Sequence, residues 1–173
     1  MAYIASDSSR RLFLAACAVA LQCLLAPFST PASAGPVEQG ALLPPYSLVY
    51  DSARDPASDF DLALRAAKEA DRRVLIMVGG DWCVWCFLLD RHLGLEQEAS
   101  EAIYGGFVVL RVYYGDDNTN QSFLSRFPDF ELFPHFFIVE SDGRVVASID
   151  ADVLIADARY DTGLIKAFAK RWH

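Results

Sequence analysis

The chain has 173 residues, with 15 basic and 23 acidic side chains and a formal net charge of −8. That length suits one domain of ordinary size with its own core. The acidic balance argues against nucleic acid or anionic membrane surfaces as partners, and it serves equally well as a solubility device.

The first segment reads as separate from that domain. Arg10-Arg11 precede an apolar run, residues 12–25, with no charged side chain, and Ala32-Ser33-Ala34 has the small-x-small form of a cleavage site. This is the layout of a secretory signal peptide, residues 1–34. The alternative, a membrane anchor, needs about 20 apolar residues, more than this run supplies. Leu14-Ala15-Ala16-Cys17 also has the form of a lipoprotein cleavage site, but the apolar run continues well past Cys17. The expected location is therefore periplasmic or secreted, with no membrane attachment after cleavage.

Cleavage removes Cys17 and Cys23 and leaves only Cys83 and Cys86. Two thiols cannot build a disulfide framework or a four-cysteine zinc site. In an exported domain, a lone C-x-x-C reads as redox-active rather than as a staple.

Residues 35–45 are rich in Gly and Pro and read as a tail; residues 46–50 read as a short strand or an extended lead-in. The domain is expected over 55–173, with 35–54 as its tail and lead-in. Apolar positions at helical spacing predict a helix over 59–71, and Arg72-Arg73 then give way to a continuous apolar strand over 74–78. Gly79-Gly80 end the strand. A second helix is expected from Val84 to a stop at Gly94, and a third over 96–104 ended by Gly105-Gly106. A strand over 107–113, a turn at 115–118 and a helix over 119–127 follow. A hairpin of strands 135–140 and 145–149 turns at 141–144. Residues 150–160 are ambiguous, and Asp161 or Thr162 caps a last helix running to Trp172. The order predicts an α/β fold: a central mixed sheet with helices on both faces.

Cys83 falls at a strand-to-helix junction. Free N–H groups and the helix dipole there favour a thiolate, which lowers the thiol pKa and makes it a nucleophile. Cys86, one turn on, is placed to attack a mixed disulfide formed at Cys83.

The stretch Trp82-Cys83-Val84-Trp85-Cys86, after a strand and opening a helix, together with Phe133-Pro134-His135-Phe136-Phe137, resembles the thioredoxin-like superfamily, and within it the secreted bacterial proteins. The resemblance covers most of the domain. It implies a thioredoxin-like fold and a thiol–disulfide oxidoreductase with Cys83 and Cys86 as the catalytic pair. It also implies a cis Phe133–Pro134 bond facing the sulfurs, and substrate contacts from Trp82, Trp85, Phe133 and Pro134. No dissolved cofactor and no metal are implied. The partners would be protein thiols and disulfides plus an upstream thiol-redox partner, and the protein itself a monomer. Reduction is favoured over oxidation, and no dimerisation domain is apparent, which counts against an isomerase.

This sequence departs from the family pattern at several points. The buried carboxylate six positions before the first cysteine is Met77 here, with the more exposed Asp81 as a weak substitute for proton transfer. The dipeptide between the cysteines is Val84-Trp85, Phe87 replaces a basic residue, and Phe133 is bulky. His135 is a weak candidate for stabilising the thiolate, set against a strand residue pointing to the other face. The rival reading is a non-catalytic thioredoxin-like binding module with a structural Cys83–Cys86 disulfide. A thiolate metal carrier comes third, short of a clear fourth ligand.

Overall fold

The computed structural model describes residues 43–173. The proposed signal peptide, Cys17 and most of the tail lie outside the described residues.

Four strands form the central sheet: β1 (Arg73–Gly79), β2 (Phe107–Tyr113), β3 (His135–Val139) and β4 (Val145–Asp150), in the order β2-β1-β3-β4. β1 and β2 run parallel, while β3 is antiparallel to β1 and to β4. The two inner strands are buried along almost their full length, as their unbroken apolar sequences require of strands covered on both faces.

Alternation along the strands sorts their side chains into two cores. Leu75, Met77, Phe136 and Ile138 meet Leu89, Leu93, Ile103, Ile165 and Phe168 from α3 (Val84–Leu95), α4 (Gln97–Gly106) and α6 (Thr162–Trp172). Val74, Ile76, Val78, Phe137 and Val139 meet Phe60, Ala63 and Ala67 of α2 (Pro56–Ala70) and the Phe123–Phe127 aromatic pair. The expected mixed sheet between helical layers is present.

Several boundaries differ from expectation for local reasons. Residues 45–48 form neither strand nor extended chain but a one-turn helix, α1 (Pro45–Leu48). Pro45 sits at its first position, where a missing N–H costs nothing, and the Ser47 hydroxyl bonds the Val109 carbonyl of β2. The lead-in is thus packed on the sheet. Gly94 does not stop α3, which ends at Leu95 when the Glu96 N–H bonds the His92 carbonyl. Gly105 and Gly106 stay inside α4: Gly105 faces open space, and a Cβ on Gly106 would make only ordinary contacts, 3.5 Å from the His173 Cβ and 4.0 Å from the Ala169 Cβ of α6. The helix expected over 119–127 shrinks to α5 (Gln121–Leu124). Asn120 takes left-handed backbone, φ 47°, and its side chain bonds the Tyr113 carbonyl at 2.7 Å instead of capping a longer helix.

The ambiguous stretch becomes a 3₁₀ turn (Ala151–Leu154) and a small hairpin of β5 (Ile155–Ala156) and β6 (Arg159–Tyr160). The hairpin carries Tyr160 against the cysteine helix. Asp161 caps α6, its carboxylate accepting the Leu164 N–H at 2.9 Å.

Candidate active site

β1 ends at Gly79, and the chain turns through Gly80 to Trp82 before α3 begins. Cys83 is the N-cap of α3: its carbonyl accepts the Phe87 N–H at 3.1 Å and its Sγ accepts the Cys86 N–H at 3.1 Å. A sulfur in that place does what a serine or aspartate oxygen does at other caps, and it faces the positive end of the helix dipole. Cys83 and Cys86 form a disulfide, with Cys83 5% exposed and Cys86 1%. Cys83 is the more exposed of the two.

Aromatic side chains frame the pair. Trp82 is 50% exposed, and its Nε1 donates to the Tyr114 carbonyl at 2.7 Å. Its ring meets Phe133 edge-on, centroids 5.2 Å apart, and Phe133 in turn stacks on Tyr114 at 5.2 Å. Trp85 stands on the other side against Tyr160 at 6.0 Å. The Phe133–Pro134 peptide is cis. Trp85, Leu132, Phe133, Pro134, Ile155 and Tyr160 line one groove. Of the four residues expected to contact substrate, Trp85, Phe133 and Pro134 share this groove and Trp82 meets Phe133 at its edge, while Val84 and Phe87 add exposed apolar surface at the start of α3.

The two weak candidates sit in different surroundings. Asp81 is exposed in the turn, its charge felt by Tyr113. His135 is buried on the α2 side of the sheet, stacked on Phe130 at 5.0 Å and packed on Phe137. Its Nδ1 lies 2.8 Å from Asp150 Oδ1 and its Nε2 2.8 Å from Ser148 Oγ. Strand alternation turns it away from the cysteine helix. Burial lowers its pKa, against the pull of Asp150.

A polar cluster that sequence reasoning missed lies below Cys86. Arg111, 5% exposed in the middle of β2, donates from Nε to the Ser47 carbonyl at 2.9 Å and from Nη2 to Tyr104 Oη at 3.1 Å. Asp90 Oδ1 of α3 is 2.6 Å from Nη2. The guanidinium stands 5.1 Å over the Tyr50 ring. Burial works against the charge of Arg111, but Tyr50, Tyr104 and Asp90 outweigh it and hold the group firmly protonated. Burial pushes the Tyr50 and Tyr160 hydroxyls well above the ordinary phenol range, and raises Asp90 against the pull of Arg111. The one sequence signal for this cluster was a charged residue inside the apolar run 107–113.

Among the described residues, no group of three or more His, Cys, Asp or Glu side chains is arranged to hold a metal ion, and no helix is long and apolar enough to cross a membrane.

Comparison with known proteins agrees with the fold. No curated protein matches the chain by sequence. Among solved structures, a disulphide isomerase from Xylella fastidiosa Temecula1 is similar, with 28% identity and a TM-score of 0.57 over 70% of this chain and 94% of that one. The C-terminal domain of Neisseria meningitidis DsbD in the oxidised form shares the fold at 19% identity, with a TM-score of 0.51 over 69% of this chain and 97% of that one. A sequence profile described as thioredoxin-like matches residues 55–141, half of the chain and the stretch from the start of α2 to the β3–β4 turn. The chain belongs to the thioredoxin-like family.

Proposed function

We propose that this protein is an exported thiol–disulfide oxidoreductase that exchanges disulfides with protein partners through Cys83 and Cys86. The observation that carries the reading is the N-cap position of Cys83, whose sulfur already accepts a backbone N–H in the disulfide form. When the bond opens, that N–H and the helix terminus stabilise a thiolate on Cys83. Cys86, more deeply buried, resolves mixed disulfides formed at Cys83. The electrons reside in the dithiol, so no dissolved cofactor enters the cycle.

The groove beside Pro134 and the rim of Trp82, Trp85 and Phe133 suit an extended apolar segment of a partner. Net reduction of substrates, a monomeric state and an upstream redox partner in the periplasm or outside the cell complete the proposal. Similarity to a protein described as a disulphide isomerase supports exchange chemistry on protein substrates.

The same exposed rim would serve a binding module that keeps its disulfide closed. Insulin reduction in the presence of dithiothreitol separates the two. Acceleration by the wild type, lost in Cys83→Ser, supports the oxidoreductase; no acceleration supports the binder.

A further inference from the structure

Opening the Cys83–Cys86 bond leaves negative charge on the sulfur that departs. Cys86 is 1% exposed, so water is a poor host for that charge. The position six before Cys83, where the family pattern has a carboxylate, is Met77, and Met77 packs in the apolar core. Another group has to meet the charge.

The side of the sheet that the cysteine helix covers holds unused donors. Among the described residues, Tyr50 Oη, Tyr160 Oη and Arg111 Nη1 are buried with no hydrogen-bond partner. Interiors rarely leave such groups unpaired without a chemical reason. Tyr50 is the one next to the sulfur. A single point, the place a Cβ on Gly79 would occupy, lies 2.5 Å from Cys86 Sγ, 3.1 Å from Tyr50 Cζ and 3.2 Å from Tyr50 Oη. Hydroxyl and sulfur thus flank the same point, with less room there than a methyl group needs, and glycine at 79 leaves it clear.

We propose that Tyr50 is the hydrogen-bond donor that receives the negative charge on Cys86 when the disulfide opens, with Arg111 as its positioning residue. This deepens the oxidoreductase reading and rests on it. A partner thiolate attacks Cys83 Sγ, forming a new S–S bond. The Cys83–Cys86 bond breaks, and Cys86 Sγ leaves with the electron pair. The attacking sulfur is oxidised to the disulfide level and Cys86 is reduced. The Tyr50 O–H turns toward the thiolate and keeps its proton; the thiolate later takes one from solvent. In reverse, the same donor steadies the Cys86 thiolate before it attacks the mixed disulfide.

The other charged and titratable groups facing this space agree with the role. Arg111 lies against the Tyr50 ring and is held by Asp90, Tyr104 and the Ser47 carbonyl. Asp90 offsets the guanidinium charge, so the pocket favours a thiolate without permanently demanding one. Tyr160 adds a second buried hydroxyl close enough to feel Tyr50 and Asp90, and burial keeps both phenols protonated as donors. A donor that bonds only the charge-separated state lowers the barrier rather than merely stabilising the ground state.

The test uses the full chain carrying Cys17→Ser and Cys23→Ser. Tyr50→Phe keeps the ring and its contact with Arg111. It should slow opening of the disulfide by dithiothreitol roughly 10- to 100-fold, the scale of one hydrogen bond to a charged group. With Cys83→Ser added, the Cys86 thiol pKa, read from thiolate absorbance, should rise by about one unit. Unchanged rate and unchanged thiol pKa overturn the proposal, as does an effect seen in Tyr160→Phe and absent in Tyr50→Phe. If Tyr50→Phe does not fold, 3-fluorotyrosine at position 50 has the same shape and a more acidic hydroxyl; it should speed opening, and a rate at or below wild type overturns the proposal. None of these readouts needs a protein substrate. Failure of the wild type to reduce insulin would therefore count against the oxidoreductase reading alone.

Discussion

Trp82 meets Phe133 edge to face with ring centroids 5.2 Å apart, which ties the turn before Cys83 to the loop that carries Pro134. The two halves of the site come from segments far apart in the chain, and this contact, reinforced by Trp82 Nε1 on the Tyr114 carbonyl, holds them in register. Phe133→Ala should cost about 1–2 kcal/mol of stability, since Phe133 is only partly buried. It should also raise KM for a protein substrate more than it lowers kcat. Urea melts and insulin-reduction kinetics measure the two effects, and a pure kcat loss would contradict the docking role.

The unequal exposure of the two sulfurs predicts unequal consequences of removing them. Cys86→Ala leaves Cys83 able to attack but nothing to resolve the product, so it should accumulate mixed disulfides with partners. Cys83→Ala should accumulate none, because Cys86 is 1% exposed. Non-reducing gels of each variant after incubation with a disulfide substrate give the answer. Equal trapping by both would remove the distinction drawn between nucleophile and resolving cysteine.

Arg111 predicts a stability effect of its own. Arg111→Met strips partners from the Ser47 carbonyl, Tyr104 and Asp90. The Asp90 side chain is 38% exposed, so water takes up part of that loss, and the cost should be about 1–3 kcal/mol. The guanidinium also bonds the lead-in to β2, so cleavage by a protease within residues 43–50 should speed up beyond what the global loss explains. Limited proteolysis against a denaturation curve separates local from global opening. Arg111→Lys should rescue little, because one ammonium cannot meet three partners arranged for a planar fork.

These consequences mark what was legible in the chain and what was not. The cysteine motif, the strand before it, β2 and the β3–β4 hairpin are local patterns, and periodicity or motif spacing locates them. Pro134 was legible through its resemblance to a known arrangement. The cluster beneath Cys86 joins Tyr50 from the lead-in, Asp90 from α3 and Arg111 from β2, three segments whose meeting depends on the whole fold. Reading residues 46–50 as a short strand or extended lead-in hid Tyr50. An arginine in the apolar run 107–113 was the visible anomaly, since a charge in an inner-facing strand position needs partners from elsewhere. Glycine signals misled at Gly94 and at Gly105-Gly106, where each helix runs on through open space or ordinary contacts.

Gly79 has no room for a methyl group. A Cβ there would lie 2.5 Å from Cys86 Sγ, and the backbone of the buried strand end cannot yield easily. Gly79→Ala should therefore destabilise the oxidised protein by about 1–3 kcal/mol. It should also slow disulfide opening by filling the space between Cys86 and Tyr50. Thermal melts in oxidised and reduced form, with the dithiothreitol rate, test both effects. A variant as stable and as fast as wild type would mean that the strand end relaxes freely.

His135 sets the last expectation. Burial lowers its pKa below the ordinary histidine value, with Asp150 opposing. In the pH window between the folded and unfolded values, the unfolded chain binds more protons than the folded one, so stability rises with pH there. The contribution is complete above the unfolded value, about 6.5, and is lost as pH falls through the lower folded value. Urea melts from about pH 7.5 down to about pH 5 should show stability falling. His135→Gln, which keeps hydrogen-bonding capacity toward Ser148 and Asp150 without titrating, should lower stability at neutral pH and flatten the slope in this window. The rate of disulfide opening should keep its wild-type pH profile in that variant, because His135 stands on the opposite face of the sheet from the cysteine helix. A shifted rate profile would place His135 in the chemistry after all.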